Sequence, residues 1–394
     1  MPDAADNTLA LSPADKAAMI CLGNEVYGVG AVQKSYAARL PNLTFVCMGE
    51  GALYDWLRKQ GVNVSIVPGD THFVAGGSAS TLMRMPAALK RSRDTAHHLT
   101  DHLESRGIQI VHTHWLSSQM VSGFMRSRGF RTVWHIHNNM SPDRLWGLGR
   151  KLNHALARWG ADAIVPVSHF IGQNWRDSGV PIHMIHNGVD PVFQTLRPLP
   201  TSPMRCIAAG RLHPQKGHHI AVDAVLKCLA AGADIELDIF GGPIENNDYL
   251  QQMQQRIDLA GQQHRIRFRG FEANLRQRHQ DYHLGLQCRI DPEPCSIWVC
   301  ETLLDGLPLL ASRSGGTPEL VEDGVTGLLY EPGDVDMLAQ QLLTLNQAPQ
   351  RLDTMRRAAF ERGRSQFTFD RVCQQTLELY RQLLSPATAP RPTE

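Results

Sequence analysis

The sequence predicts an α/β fold with parallel sheets divided between two domains. Three observations carry this. Short, wholly apolar runs alternate with segments of helical period along nearly the whole chain, as strands buried between helical layers do. Glycine-rich turns follow several of those runs, at the carboxyl ends where parallel sheets bind ligands. The 394 residues exceed what one core organises. The domains are expected over residues 1–195 and 203–369, joined by the Pro- and Thr-rich segment QTLRPLPTSP (194–203).

Composition narrows the class. The apolar and charged fractions, 42% and 20%, are those of a globular protein. A formal charge of +1 provides no field for nucleic acid. No apolar run reaches the ~18 residues of a membrane span. The opening MPDAADNTLA has no leader pattern, so a cytoplasmic location is expected. Cys21, Cys47, Cys206 and Cys288 sit singly in apolar runs, as small buried hydrophobes do. The eighteen histidines read as scattered, with no Cys/His spacing that marks a metal.

In the first domain, AAMICLG (17–23) is the first strand. The turn Gly28-Val29-Gly30 leads into a helix and lets backbone approach a ligand. It lacks the third glycine and downstream acid of a dinucleotide fingerprint. LTFVCMG (43–49) and NVSIVPG (63–69) are strands around the helix LYDWLRKQG (53–61), followed by a loop over 71–80. The helix over about 82–105 is basic at its front (Arg84, Lys90, Arg91, Arg93); this reads as a solvated face and leaves a peripheral membrane contact open. IQIVHTH (108–114) and RTVWHIH (131–137) are strands that each end in a histidine. His114 reads as packed. His137, followed by the turn Asn138-Asn139, reads as functional. A helix over 143–160, the strand DAIVPVS (162–168), a helix to about 177 and IHMIHNGVD (182–190) complete the domain.

The second domain opens with MRCIAAGRL (204–212). The strand stops at Gly210, Arg211 follows, and Lys216-Gly217 begins a helix. Arg supplies a bidentate fork, Lys a point charge, and the helix terminus backbone N–H groups, which together fit phosphate. No Walker pattern is present. IELDIFGG (235–242) ends in Gly241-Gly242, and RIRFRGF (265–271) carries Arg269. After the strand LGLQC (284–288) comes DPEPCSIWVCETLLDGLPLLASRSGGTPE (291–319), which holds Glu293 in a loop and Glu301 in a helix. Carboxylates at a crevice rim accept paired hydrogen bonds from sugar or ribose diols; alone, the two also read as ordinary exposed acids. LPLLAS (307–312) is a strand ending at Gly315-Gly316-Thr317. Asp334 and Asp336 invite a metal reading, but Pro332-Gly333-Asp334 is an ordinary helix start, where acids are favoured.

GRLHPQKG (210–217), EPCSIWVCE (293–301), GLPLLASRSGGTPELVEDGVTGLLYEPGD (306–334) and IHNGVD (185–190) together resemble the retaining glycosyltransferases of family four. The resemblance implies the GT-B architecture: two Rossmann-like domains facing across a cleft, with the helix over about 370–384 returning to the first. It implies a nucleoside diphosphate sugar as donor, no metal or other cofactor, and a glycan or glycolipid acceptor. The cell-surface polysaccharide or lipopolysaccharide setting, at the inner face of the membrane, follows from it. Arg211 and Lys216 would hold the diphosphate, Glu301 the ribose and Glu293 the donor sugar. The turn Gly315-Gly316-Thr317 would offer backbone donors, and Gly30 would close over the phosphates. Gly210, Gly241, Arg269, Ser296 and Ile297 join the donor set. His137, near the donor sugar, joins Arg211, Lys216 and Glu293 as catalytic. Three departures stand out: Cys295-Ser296 replaces the usual Phe-Gly, the first loop lacks an adjacent Gly-Gly pair, and His135-Ile136-His137-Asn138 replaces a Thr-x-His segment. A non-catalytic nucleotide-sugar-binding partner subunit and a sugar-nucleotide epimerase on the same architecture are the alternatives.

Overall fold

The structure is a computed structural model of the chain that describes residues 16–25, 28–69, 79–139, 148–199, 202–242 and 248–385. Residues 71–78 of the loop expected over 71–80 and residues 143–147 of the helix expected over 143–160 lie outside the described residues, as does the tail beyond Ser385. The chain divides into two compact units. Unit 1 is Met1–His186 with Phe369–Glu394, and unit 2 is Asn187–Thr368. The division falls at 186/187, ahead of the Pro-rich segment. That segment packs within unit 2, where the Arg197 amide donates to Gln280 at 2.8 Å and Gln280 donates to the Thr195 carbonyl at 3.1 Å.

Unit 1 holds six parallel strands: β1 (Ala17–Cys21), β2 (Thr44–Cys47), β3 (Val64–Ile66), β4 (Ile110–Thr113), β5 (Arg131–Ile136) and β6 (Ala163–Pro166), in the order β3-β2-β1-β4-β5-β6. Unit 2 holds β7 (Met204–Ala209), β8 (Ile235–Phe240), β9 (Ile266–Gly270), β10 (Leu284–Gln287), β11 (Leu309–Ser312) and β12 (Gly327–Tyr330), in the order β12-β11-β10-β7-β8-β9. Counted from each unit's own first strand the two orders are the same, 3-2-1-4-5-6. That is the doubly wound Rossmann order, which places ligand loops at the carboxyl ends beside the first strand. The fold is GT-B. β1, β2, β4, β6, β10, β11 and β12 are buried at every residue, which is why they read as unbroken apolar runs.

The helix Phe369–Leu384 belongs to unit 1. Tyr36 Oη lies 2.8 Å from Thr376 Oγ1, and Arg39 pairs with Asp370 at 2.7 Å. In unit 2 the helix Pro349–Gln366 backs the short helix Ile297–Leu304. A Cβ at Gly363 would stand 2.5 Å from the Leu304 amide, so glycine there allows the two backbones to touch. All eight cysteines are buried and free. Among the described residues no helix is long and apolar enough to cross a membrane.

Candidate functional site

Three strand ends of unit 2 converge. After β7 the chain passes Gly210, at φ 147°, to an exposed Arg211 that carries no ion pair among the described residues. Pro214–Lys216 form a single 3-10 turn, and Gly217 begins the helix His218–Ala230 at φ 70°. A Cβ on Gly217 would lie 1.8 Å from the Cys288 carbonyl oxygen at the end of β10. Only glycine lets the two loops approach this closely, and the approach sets Lys216 beside Glu293. Lys216 Nζ is 3.4 Å from Glu293 Oε2. Gly241, at the end of the neighbouring strand β8, serves in the same way, since a Cβ there would meet the Gly210 carbonyl oxygen at 1.8 Å.

Glu293 is 8% exposed, so it is not an ordinary surface acid. Its loop is fixed from below. The Gly316 amide donates to the Glu293 carbonyl at 2.7 Å, and a Cβ on Gly315 would strike the Glu293 backbone at 2.3 Å. The Asn187 side-chain amide donates to the Cys295 carbonyl at 2.9 Å. Ser296 Oγ caps the helix Ile297–Leu304, accepting from the Val299 amide at 3.4 Å. The serine in place of the usual glycine is therefore a helix cap. Ile297 opens that helix and is half-buried, and Thr317 is fully buried with no partner for its hydroxyl.

Charge at the site is set by burial and neighbours. Burial pushes the Lys216 ammonium below its ordinary pKa; Glu293 pulls it back up, while Arg289 and Arg211 push it down. Burial holds the half-buried Glu301 carboxyl above its ordinary range, and Arg276 offsets some of this. Behind it Asp305, wholly buried, takes two bonds from Arg276 at 2.8 and 3.1 Å and one contact from His279 at 2.9 Å. Arg269 stands further out along β9 and donates to Asp238 at 2.9 Å.

One residue here escaped the sequence reading. Arg289 Nη1 donates to Glu293 Oε2 at 2.6 Å, and its Nε and Nη2 grip Asp291, each at 2.9 Å. An arginine just after a strand looks like a surface charge; only the loop's return beneath it shows otherwise.

The remaining candidates, Gly30 and His137, belong to unit 1. Gly30 lies in the first turn of the helix Val29–Arg39, where a Cβ would meet Glu25 at 2.8 Å. Glu25 fills the loop after β1, accepting from the amides of Leu22 and Gly23 and from the Trp115 indole at 3.0, 2.8 and 2.9 Å. His137 corrects the reading of scattered histidines. β4 and β5 pair with His112 level with Val133, so residues 112, 114, 135 and 137 share a face. The four rings stack with centroids 4.3–5.3 Å apart. His114 Nδ1 meets His137 Nε2 at 2.8 Å, and His112 meets His135 at 3.2 Å and the Tyr380 hydroxyl at 2.6 Å. Burial keeps all four neutral, with His112 and His137 pushed down to about 3. Ring nitrogens of His112, His114 and His135 lie within 4.8 Å of one another, the nearest approach to a metal site among the described residues. Their ring planes differ by only 8–27°, and the His112 and His135 nitrogens are already turned on each other at 3.2 Å.

The sequence pattern of the family described as Glycosyl transferases group 1 matches residues 203–347, and that of Glycosyltransferase Family 4 matches residues 52–193. The chain belongs to the family 4 glycosyltransferases. It is 31% identical over 157 residues to the GDP-mannose-dependent alpha-(1-6)-phosphatidylinositol monomannoside mannosyltransferase of Mycolicibacterium smegmatis, covering 38% of this chain and 40% of that protein. It is 26% identical over 199 residues to the putative colanic acid biosynthesis glycosyltransferase WcaL of Escherichia coli, covering 47% and 48%. These matches span less than half the length of either relative. Among solved structures it is similar to Anabaena HepE in complex with UDP, with a TM-score of 0.72 at 21% identity over 93% of this chain and 100% of that one.

Proposed function

We propose that this protein is a retaining, metal-independent glycosyltransferase. It moves a hexose from a nucleoside diphosphate sugar to a hydroxyl of a glycan or glycolipid, in surface polysaccharide or lipopolysaccharide assembly on the cytoplasmic side. The observation that carries this is the meeting of Lys216 with the buried Glu293 at 3.4 Å, beside an exposed Arg211 and the N-terminus of the helix His218–Ala230. HepE was crystallised with UDP and with UDP-glucose, and the two relatives are named for glycolipid and polysaccharide glycosylation; both support the donor and acceptor classes.

The chemistry follows from where charge develops. As the bond from the anomeric carbon to the phosphate oxygen breaks, its electron pair passes to the leaving diphosphate. Arg211, Lys216 and the helix amides meet that charge as it grows, so they stabilise the transition state more than the bound donor. Two cations and a helix terminus supply what a divalent ion would otherwise bring. The acceptor oxygen bonds to the carbon on the face the phosphate leaves, and its proton passes to the departing phosphate. This route needs no enzymic nucleophile. Glu293 orients the sugar hydroxyls and Glu301 the ribose. His137 is assigned to the donor sugar on the resemblance; as a neutral ring it acts by hydrogen bonding and not by charge.

A thermal-shift panel of UDP, GDP, ADP and dTDP sugars, each with EDTA and with added Mg²⁺, tests this. Ligands that bind only the folded state raise its melting temperature. One nucleotide sugar stabilising the protein in EDTA fixes the base and upholds the reading. A shift that needs the ion overturns metal independence, and none with any donor favours a non-catalytic module.

A further inference from the structure

Glu293 Oε2 holds two cations at once, Lys216 Nζ at 3.4 Å and Arg289 Nη1 at 2.6 Å. Yet Lys216 is the group that a donor diphosphate needs. In the free protein it is therefore held by a carboxylate, and binding must draw it away. A buried carboxylate left without a cation beside an arriving dianion would oppose binding twice, by retaining Lys216 and by repelling phosphate. Arg289 prevents both. Its side chain is 17% exposed and is anchored on Asp291 by two bonds. Its backbone is anchored as well: Ser312 Oγ donates to the Arg289 carbonyl and Ser314 Oγ to the Asp291 carbonyl, both at 2.6 Å. Arg289 is thus tied down at both side chain and backbone, whereas Lys216 reaches Glu293 by a single, longer contact on a flexible stem.

We propose that Arg289 is a positioning residue that keeps Glu293 paired and in place while Lys216 passes from Glu293 to the donor diphosphate. The assignment rests on the donor reading above. It makes nucleotide affinity depend on a side chain that touches the carboxylate and not the phosphate. It also makes one prediction with an unusual sign: removing the charge of Glu293 should repair the loss of Arg289.

Isothermal titration of UDP, GDP, ADP and dTDP onto the full chain tests this, using the nucleoside diphosphates themselves so that sugar contacts of Glu293 have no influence. With the diphosphate that wild type binds, Arg289→Gln should bind roughly tenfold more weakly, an ordinary coupling between contacting charges. Arg289→Gln/Glu293→Gln should return to wild-type affinity, and Arg289→Lys, which keeps the charge, should bind as wild type does. Wild-type affinity in Arg289→Gln overturns the assignment. So does a double variant that stays weak, since Arg289 would then contact phosphate itself. If wild type binds none of the four, the donor reading fails and this assignment falls with it.

Discussion

The histidine stack makes unit 1 acid-sensitive in a way that can be calculated. His112 and His137 are held neutral by burial, down to about 3, against ~6.5 in an unfolded chain. Below that unfolded value the denatured state binds protons that the native state refuses. Stability is therefore complete above pH ~6.5 and is lost as pH falls toward 3. Between pH 7.5 and 5 each ring costs about 2 kcal/mol, so this pair costs about 4 kcal/mol. His114 and His135, also held low, add to it. That is a large share of the 5–15 kcal/mol typical of a domain. Six of the seven tryptophans lie in unit 1, so urea titrations followed by tryptophan fluorescence report on it. Carboxylates contribute to any acid slope, and the histidine share is isolated by substitution. His112→Gln should flatten the slope between pH 6 and 4.5 by up to about 1.4 kcal/mol per pH unit, and His135→Gln should flatten it in the same direction. Slopes identical to wild type in both variants would refute the premise that these rings are neutral because they are buried.

Lys216→Ala should lower kcat/KM for transfer about 10²–10³-fold with the melting temperature little changed, because Glu293 keeps Arg289; initial rates with the donor found by thermal shift measure this, and near-normal turnover removes Lys216 from the chemistry. Tyr380→Phe deletes the 2.6 Å bond to His112 inside a wholly buried site, and should cost unit 1 about 1–3 kcal/mol by urea unfolding at pH 7.5; no loss would mean the ring nitrogen finds another partner. Asp305→Ala leaves Arg276 and His279 without their shared acceptor and should cost unit 2 about 3–5 kcal/mol, read by differential scanning calorimetry, where an unshifted transition counts against it.

What the sequence revealed and what it hid have physical reasons. Parallel strands such as AAMIC and LLAS are buried on both faces, so each shows as an apolar block without any knowledge of its neighbours. Lys216 and Glu293 were legible for a similar reason: each lies in the loop that follows such a block, and a strand's carboxyl end is a place with known use. Arg289 also follows a strand, but its meaning depends on Glu293 turning back to it. The histidine stack needed more, because His-x-His occurs on β4 and again on β5, and only adjacency and register bring the pairs together. The helix Pro349–Gln366 went unread because PQRLDTMRRAAFERGRSQ is mostly polar; its buried side is a thin line through Leu352, Met355, Ala359 and Gly363. Glycine at 217 was visible as a helix start, whereas the close approach that excludes a Cβ there comes from the Cys288 carbonyl, just past a strand some seventy residues away.

Because the helix Phe369–Leu384 belongs to unit 1, the half of the protein whose synthesis starts first cannot be finished until all of unit 2 has been made. At translation rates of ~5–20 residues per second, the intervening stretch of about 180 residues takes roughly ten to forty seconds. Throughout that interval the nascent unit 1 has no Thr376 for Tyr36 and no Tyr380 for His112. Its sheet waits with an uncovered apolar seam on the emerging chain. Unit 2 is contiguous and has all its elements as soon as it is made, so the order of translation and the order of completion are reversed.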